Sequence, residues 1–189
     1  MPVIRRFVPV LVVIFLLDGV TWADVSSDTA GKGRWKPEIS LPTFISDHMV
    51  IQRDMPAPVW GKTAPKARVS VRIDGQTVRT RADENGRWRA EVGPLGAGGP
   101  YEMTIGVRRS KATISDILAG DVWVCSGQSN MQWPVSQSNN AEEEIRKANY
   151  PGIRLYSVDR TVSGEPLEGC NGQWTACTPE SIPDFSAVA

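Results

Sequence analysis

The sequence has little histidine, little cysteine and no net charge. One histidine, His48, among 189 residues excludes a His-rich metal site and leaves little material for His-dependent chemistry. Three cysteines, Cys125, Cys170 and Cys177, are too few for a dense disulfide framework. Lys plus Arg balances Asp plus Glu at 21 each. A general binder of nucleic acid or of anionic membranes would show a basic excess, so neither partner is expected. No apolar run reaches the ~20 residues that span a bilayer. What is present is an ordinary globular composition, 41% apolar, too apolar for a disordered chain.

The charge is balanced only in sum. Residues 60–111 carry 11 basic and 5 acidic side chains, whereas residues 112–189 carry 4 and 10. The change of sign near residue 111 is read as a domain boundary. Two solvated surfaces that merely differ would give the same pattern.

The N-terminus reads as an export signal. Arg5 and Arg6 precede an apolar run of 11 residues at 7–17, too short for a membrane span. Small residues at Thr21 and Ala23 place cleavage after Ala23, which makes residues 1–23 a signal peptide. The mature chain is then expected to be secreted or periplasmic, without stable membrane association. In an oxidising compartment Cys170 and Cys177 are close enough in sequence for a local bridge, while Cys125 lies in an apolar run that suits a buried thiol. Residues 24–40, rich in Ser, Gly and Lys, read as a linker.

Residues 41–117 read as short strands and turns. Val69, Val71 and Ile73 alternate with polar residues, Asp74-Gly75 supplies a two-residue hairpin turn, and Thr77 to Arg81 returns. Residues 83–86 form a second turn, followed by alternating Trp88, Ala90 and Val92. After a Gly/Pro break, Tyr101, Met103, Ile105 and Val107 alternate again. The pattern predicts a small antiparallel β-sandwich, with Arg72, Arg79, Arg81, Arg87 and Arg89 on its solvated face.

Beyond residue 117 the pattern changes. Asp121 to Cys125 is a nearly continuous apolar strand, suited to burial on both faces. Ser126-Gly127-Gln128-Ser129-Asn130-Met131 forms a tight loop. Residues 141–148 suggest a helix capped by Asn140, with Glu142–Arg146 and Glu143–Lys147 pairs. Pro151-Gly152 stops it, and Ile153, Leu155, Tyr156 and Val158 make another strand. Strand, loop, helix, strand opens an α/β unit. A serine at the carboxyl end of such a strand is well placed for catalysis, because open α/β sheets bind ligands there. A sharp turn exposes the hydroxyl and aims amides at a developing oxyanion. Serine and asparagine also populate turns for local hydrogen bonding, so the loop alone does not decide.

Residues 120–131, containing Cys125-Ser126-Gly127-Gln128-Ser129-Asn130-Met131, resemble the nucleophile block of the sialate O-acetylesterases of the SGNH hydrolase superfamily. Leu41-Pro42 through Ser46-Asp47-His48-Met49-Val50-Ile51-Gln52-Arg53 is similar to the opening of the β-domain that precedes catalysis in that family. Pro58-Val59-Trp60-Gly61, Asn85-Gly86-Arg87-Trp88, Gly99-Pro100-Tyr101, Trp174, residues 177–180 and residues 185–189 fall where similar motifs do. The resemblance covers residues 41–189. It implies an SGNH-hydrolase-like α/β domain of flavodoxin-like three-layer form, begun at residues 118–189 and truncated, preceded by the β-sandwich at 41–117. It implies Ser129 as nucleophile, with its backbone amide in the oxyanion site and Gly127, Gln128 and Asn130 shaping the loop. The implied reaction removes acetyl groups from O-acetylated sialic acids or related sugars through an acetyl-enzyme, with no metal or organic cofactor.

The Asp-x-x-His block that carries the base in that family does not occur in these residues. The chain is therefore expected to be an N-terminal fragment, inactive by itself. His48 matches the β-domain opening and reads as a turn residue, not a base. The alternatives are a secreted carbohydrate-binding β-sandwich module without catalysis, an acetyl-xylan esterase-type relative, and a decayed product.

Overall fold

The computed structural model describes residues 9–13, 38–165, 167 and 169–189. The expected cleavage site at Ala23 and most of the linker at 24–40 lie outside the described residues. Ten strands dominate the described residues: β1 (Pro9–Val13), β2 (Val50–Gln52), β3 (Ala57–Lys62), β4 (Arg68–Ile73), β5 (Gln76–Arg81), β6 (Arg87–Val92), β7 (Gly98–Val107), β8 (Ser110–Cys125), β9 (Tyr150–Val158) and β10 (Gly172–Cys177). The α-helix among the described residues is α1 (Ala141–Lys147).

The alternation seen in the sequence becomes the sandwich. β4 and β5 pair antiparallel through Asp74 and Gly75, both at positive φ, the turn that matches strand twist. β7 joins β4, and β8 joins β7. A second sheet of β3 and β6 supplies Val59, Trp88, Ala90 and Val92 to the same core. Val71, Met103, Ile105, Val107 and Ile117 are fully enclosed; each such side chain contributes about 1.5–3 kcal/mol on burial. Arg72, Arg79, Arg81, Arg87 and Arg89 face solvent as expected.

The turn between β5 and β6 depends on one glycine. Gly86 has φ +79°, and a Cβ there would stand 2.1 Å from the Thr63 carbonyl oxygen. Gly86→Ala combines left-handed strain with backbone overlap, so a loss of about 2–4 kcal/mol is expected. A urea midpoint equal to that of the parent chain would contradict this.

β8 is one strand of 16 residues that runs unbroken through residue 117. Its first half pairs with β7 and its second half with β1, parallel, at Asp121–Cys125. β1 also pairs parallel with β9, and β9 antiparallel with β10, giving the order β10-β9-β1-β8-β7-β4-β5 with β2 alongside β8. Tyr156, Val158 and Trp174 pack into the sandwich core, so the two halves share one apolar interior.

Three local expectations are corrected. Trp123 and Val124, on opposite faces of β8, are 59% and 64% exposed, so this strand is not buried on both faces; α1 packs mainly against residues 135–137 rather than over it. Asn140 precedes α1 in the left-handed region and makes no side-chain cap bond, because that conformation turns its carbonyl, not its side chain, to the helix amides. Of the two surface pairs, Glu143–Lys147 is formed. The cysteines are free thiols, without a local bridge: Cys170 lies against the Tyr156 hydroxyl at 3.7 Å, while Cys177 is buried with Leu155 and Phe185 in a separate cluster.

Candidate active site

Two interactions fix the strand that leads to the loop. Arg53, just after β2, donates from Nε to Asp121 Oδ1 at 2.9 Å and from Nη2 to Oδ2 at 3.3 Å. The two-pronged guanidinium–carboxylate pair sets register as well as attraction. Gln52 Oε1 accepts the Val122 amide at 2.9 Å. β8 therefore enters the site with its position set by the segment around β2.

Ser129 opens a short 3-10 turn, Ser129–Gln132, four residues beyond the end of β8. Apolar strand gives way to Ser-Gly-Gln-Ser-Asn, residues that favour a turn over further pairing. The Met131 amide donates to the Gln128 carbonyl and the Trp133 amide to the Asn130 carbonyl. Ser126, Gly127, Gln128, Ser129 and Asn130 are all exposed. Gly127 closes the turn against Met131, whose Cβ would lie 3.2 Å from a Cβ at that position. Met131 anchors the loop in the second apolar cluster, with Ala148, Leu155, Cys177 and Phe185.

The far side of the loop is laced to residues 183–187. Val135 and Ser136 amides donate to the Phe185 and Pro183 carbonyls, and the Ala187 amide returns to the Trp133 carbonyl at 2.8 Å. Ser186 Oγ donates weakly to Met131 Sδ at 3.5 Å. The loop is thus held at both ends, while the Ser129 side chain stays accessible. The nearby thiols do not compete as nucleophiles: burial pushes Cys125 and Cys177 up from their ordinary range, which keeps them protonated at neutral pH.

His48 is not brought to Ser129. Its Nδ1 lies 2.7 Å from Asp116 Oδ2, and Asp116 precedes Cys125 by nine residues of β8, roughly 30 Å of strand. The buried Arg154 guanidinium grips the same carboxylate, Nη1 to Oδ2 at 2.5 Å and Nη2 to Oδ1 at 3.1 Å. That pairing, foremost the Arg154 bonds and then those of His48, holds the Asp116 carboxyl below its ordinary range, against the opposing effect of burial. The cluster joins the turn before β2 to β9 across β8. Sequence reasoning missed it, because Asp116 and Arg154 carry no local signature and meet only through sheet order.

No group of three or more His, Cys, Asp or Glu side chains is arranged to hold a metal ion among the described residues. Nor is any helix among them long and apolar enough to cross a membrane.

No family model matches the chain. Curated relatives do. The sialate O-acetylesterase of Homo sapiens is 33% identical over 192 residues, 92% of this chain and 35% of that protein. The sialate O-acetylesterase of Mus musculus is 36% identical over 138 residues, 67% of this chain and 26% of that protein. The chain is a relative of the sialate O-acetylesterases. Its fold matches the crystal structure of a carbohydrate acetylesterase from Xanthomonas citri with a TM-score of 0.78 at 35% identity, over 80% of this chain and 35% of that one. The structural match supports an esterase fold for this sialate O-acetylesterase relative. The chain spans about a quarter to a third of the length of the relatives it matches.

Proposed function

We propose that these residues form the nucleophile-bearing part of a carbohydrate O-acetylesterase of SGNH type, with Ser129 as nucleophile. One observation carries the reading: the serine of the Gly-Gln-Ser-Asn block stands exposed in a braced turn at the carboxyl end of β8, in a chain related to named carbohydrate acetylesterases.

The chemistry follows from that position. Ser129 Oγ attacks the acetyl carbonyl carbon; the Oγ–C bond forms and the hydroxyl proton passes to a base. The Ser129 backbone amide steadies the tetrahedral oxyanion, with Gly127, Gln128 and Asn130 holding the turn in shape. The C–O bond to the sugar breaks and the sugar oxygen takes up a proton. Water then attacks the acetyl-enzyme, releasing acetate and restoring the serine. The base implied by the resemblance, the histidine of an Asp-x-x-His block, is not among these 189 residues. In the fold that the resemblance implies, helical layers would cover Trp123 and Val124 and complete a flavodoxin-like sandwich of helices and sheet. The substrate class is an O-acetylated sugar, and the relatives' names favour acetylated sialic acid.

The function is tested by acetate release from an O-acetylated sialic acid and an aryl acetate, using a chimera of these residues with the remainder of a relative. Turnover that needs Ser129 supports the reading; turnover that survives Ser129→Ala overturns it.

Export is proposed from Arg5, Arg6 and the apolar run at 7–17. Cleavage after Ala23 would remove β1 and open the β8 and β9 edges that it pairs with. N-terminal sequencing of secreted chain is expected to begin at Asp24; secreted chain beginning at Met1 would count against the proposal.

A further inference from the structure

Residues 46–53 take no part in the acetyl transfer itself, yet the fold joins them to the serine strand. β2 pairs parallel with β8 as far as Gln52 opposite Gly120, and the Arg53 amide then donates to the Gly120 carbonyl at 2.9 Å. Side chains carry the pairing one step further. Gln52 Oε1 accepts the Val122 amide, in place of the carbonyl that a longer β2 would supply. The Arg53 guanidinium donates to the Asp121 carboxylate through two nitrogens. Its third nitrogen, Nη1, donates to Asp54 Oδ2 at 2.8 Å. The Asp54 amide donates to the carbonyl of Leu95 at 2.8 Å, whose side chain is buried in the sandwich core. The clamp on β8 is therefore rooted in the sandwich, not in the loop that carries Ser129.

Two observations give this clamp more than a structural meaning. Beyond Gly120, the strand that pairs with β8 among the described residues is β1 alone, and cleavage after Ala23 would remove β1. The bonds from Gln52 and Arg53 would then be the polar contacts that fix Asp121 and Val122 along the strand. In addition, the Arg53 and Asp121 side chains are 30% and 28% exposed. An ion pair that wet adds little to stability, whereas a guanidinium fork on a carboxylate restricts position and orientation. The pair is suited to holding a place more than to holding the fold.

We propose that Arg53, through its bond to Asp121, is a positioning residue for the esterase reaction: it sets where β8 ends, and so where Ser129 meets the acetyl carbonyl. The inference rests on the reading of Ser129 as nucleophile. The far side of the serine loop is braced by residues 183–187, and β8 supports its near side. A displacement of about 1 Å between reacting atoms costs on the order of 100-fold in rate, so a small slip of β8 is enough to matter.

In the chimera with the remainder of a relative, Arg53→Ala is expected to lower kcat by about 10- to 100-fold on both the acetylated sialic acid and the aryl acetate, with KM within about twofold. A displaced nucleophile slows attack on any acetyl ester and leaves binding alone. Arg53→Lys keeps the charge without the fork and should fall between Arg53→Ala and the parent. Arg53→Ala combined with Asp121→Asn should be no slower than the slower single variant, since both remove one bond. Gly86→Ala, which strains the turn between β5 and β6, is the control for lost stability; assayed where circular dichroism shows it folded, it should keep the parent kcat. In the 189-residue chain itself, Arg53→Ala should shift the assigned Ser129 and Asn130 amide resonances, and Gly86→Ala should not. Turnover that survives Ser129→Ala would overturn the reading of the site and this proposal with it. Where Ser129→Ala abolishes turnover, any of four results overturns the positioning role alone: kcat unchanged in both Arg53 variants, a loss confined to KM, a loss of kcat in Gly86→Ala as large as that in Arg53→Ala, or unmoved Ser129 and Asn130 resonances in Arg53→Ala.

Discussion

The 189-residue chain alone is expected to hydrolyse an aryl acetate at or near the uncatalysed rate. Serine at its ordinary pKa needs an adjacent base, and the single histidine is committed to Asp116, roughly 30 Å of strand away from the loop. In complete serine hydrolases, loss of one triad member costs on the order of 10⁴-fold or more. Joining these residues to the remainder of a relative should recover at least that factor. Ser129→Ala in the chimera should remove it again, with the folded state unchanged because the side chain is exposed. His48→Ala should leave turnover nearly intact. Rates of acetate release in the four chains check this together. Activity in the short chain that falls on His48→Ala would overturn the assignment of both residues.

The second large effect concerns stability. Asp116→Asn is expected to cost about 2–3 kcal/mol. Arg154 is 5% exposed, and the substitution leaves its charge buried without a counter-ion. Breaking a fully buried pair costs roughly 3–5 kcal/mol, but the Asp116 side chain is 36% exposed and water replaces part of what is lost. Arg154→Met removes the buried charge itself and should cost less, about 1 kcal/mol. The pH dependence has a definite sign. A carboxyl held below its ordinary value of 3.8 contributes stability in full above that value and loses it as the pH falls through the lowered value of the folded state. Acid unfolding of the parent chain should therefore steepen below about pH 4, and Asp116→Asn should flatten that limb. Urea midpoints from pH 2.5 to 7 check both statements; equal midpoints for Asp116→Asn and the parent at neutral pH would contradict them.

The sandwich was legible where local chemistry is strong. Asp74-Gly75 demands a tight hairpin, and the alternation at Trp88, Ala90 and Val92 becomes inward positions on β6. Ser129 was legible as a loop serine after an apolar strand. The burial of that strand was misread, since an apolar run reports what a strand suits, not what covers it; Trp123 and Val124 stand open. The Asn140 cap failed for a related reason: the residue type permits a side-chain cap, but the backbone entering α1 chose the left-handed region. Long-range order was not legible at all. Nothing local says that Arg154 and His48 meet at Asp116, that Trp174 donates to the Phe44 carbonyl at 2.8 Å, or that residues 183–187 brace the serine loop. These contacts depend on strands distant in sequence becoming neighbours in one sheet.

The central claim, that Ser129 carries the acetyl group, is tested most directly by trapping the intermediate. The active chimera is mixed with an aryl acetate, quenched in acid during turnover and mapped by peptide mass spectrometry. The account predicts one acetyl group on the peptide containing Ser129, absent from the Ser129→Ala chain. Acetyl on another residue of the turning-over enzyme, with Ser129 unmodified, would contradict it.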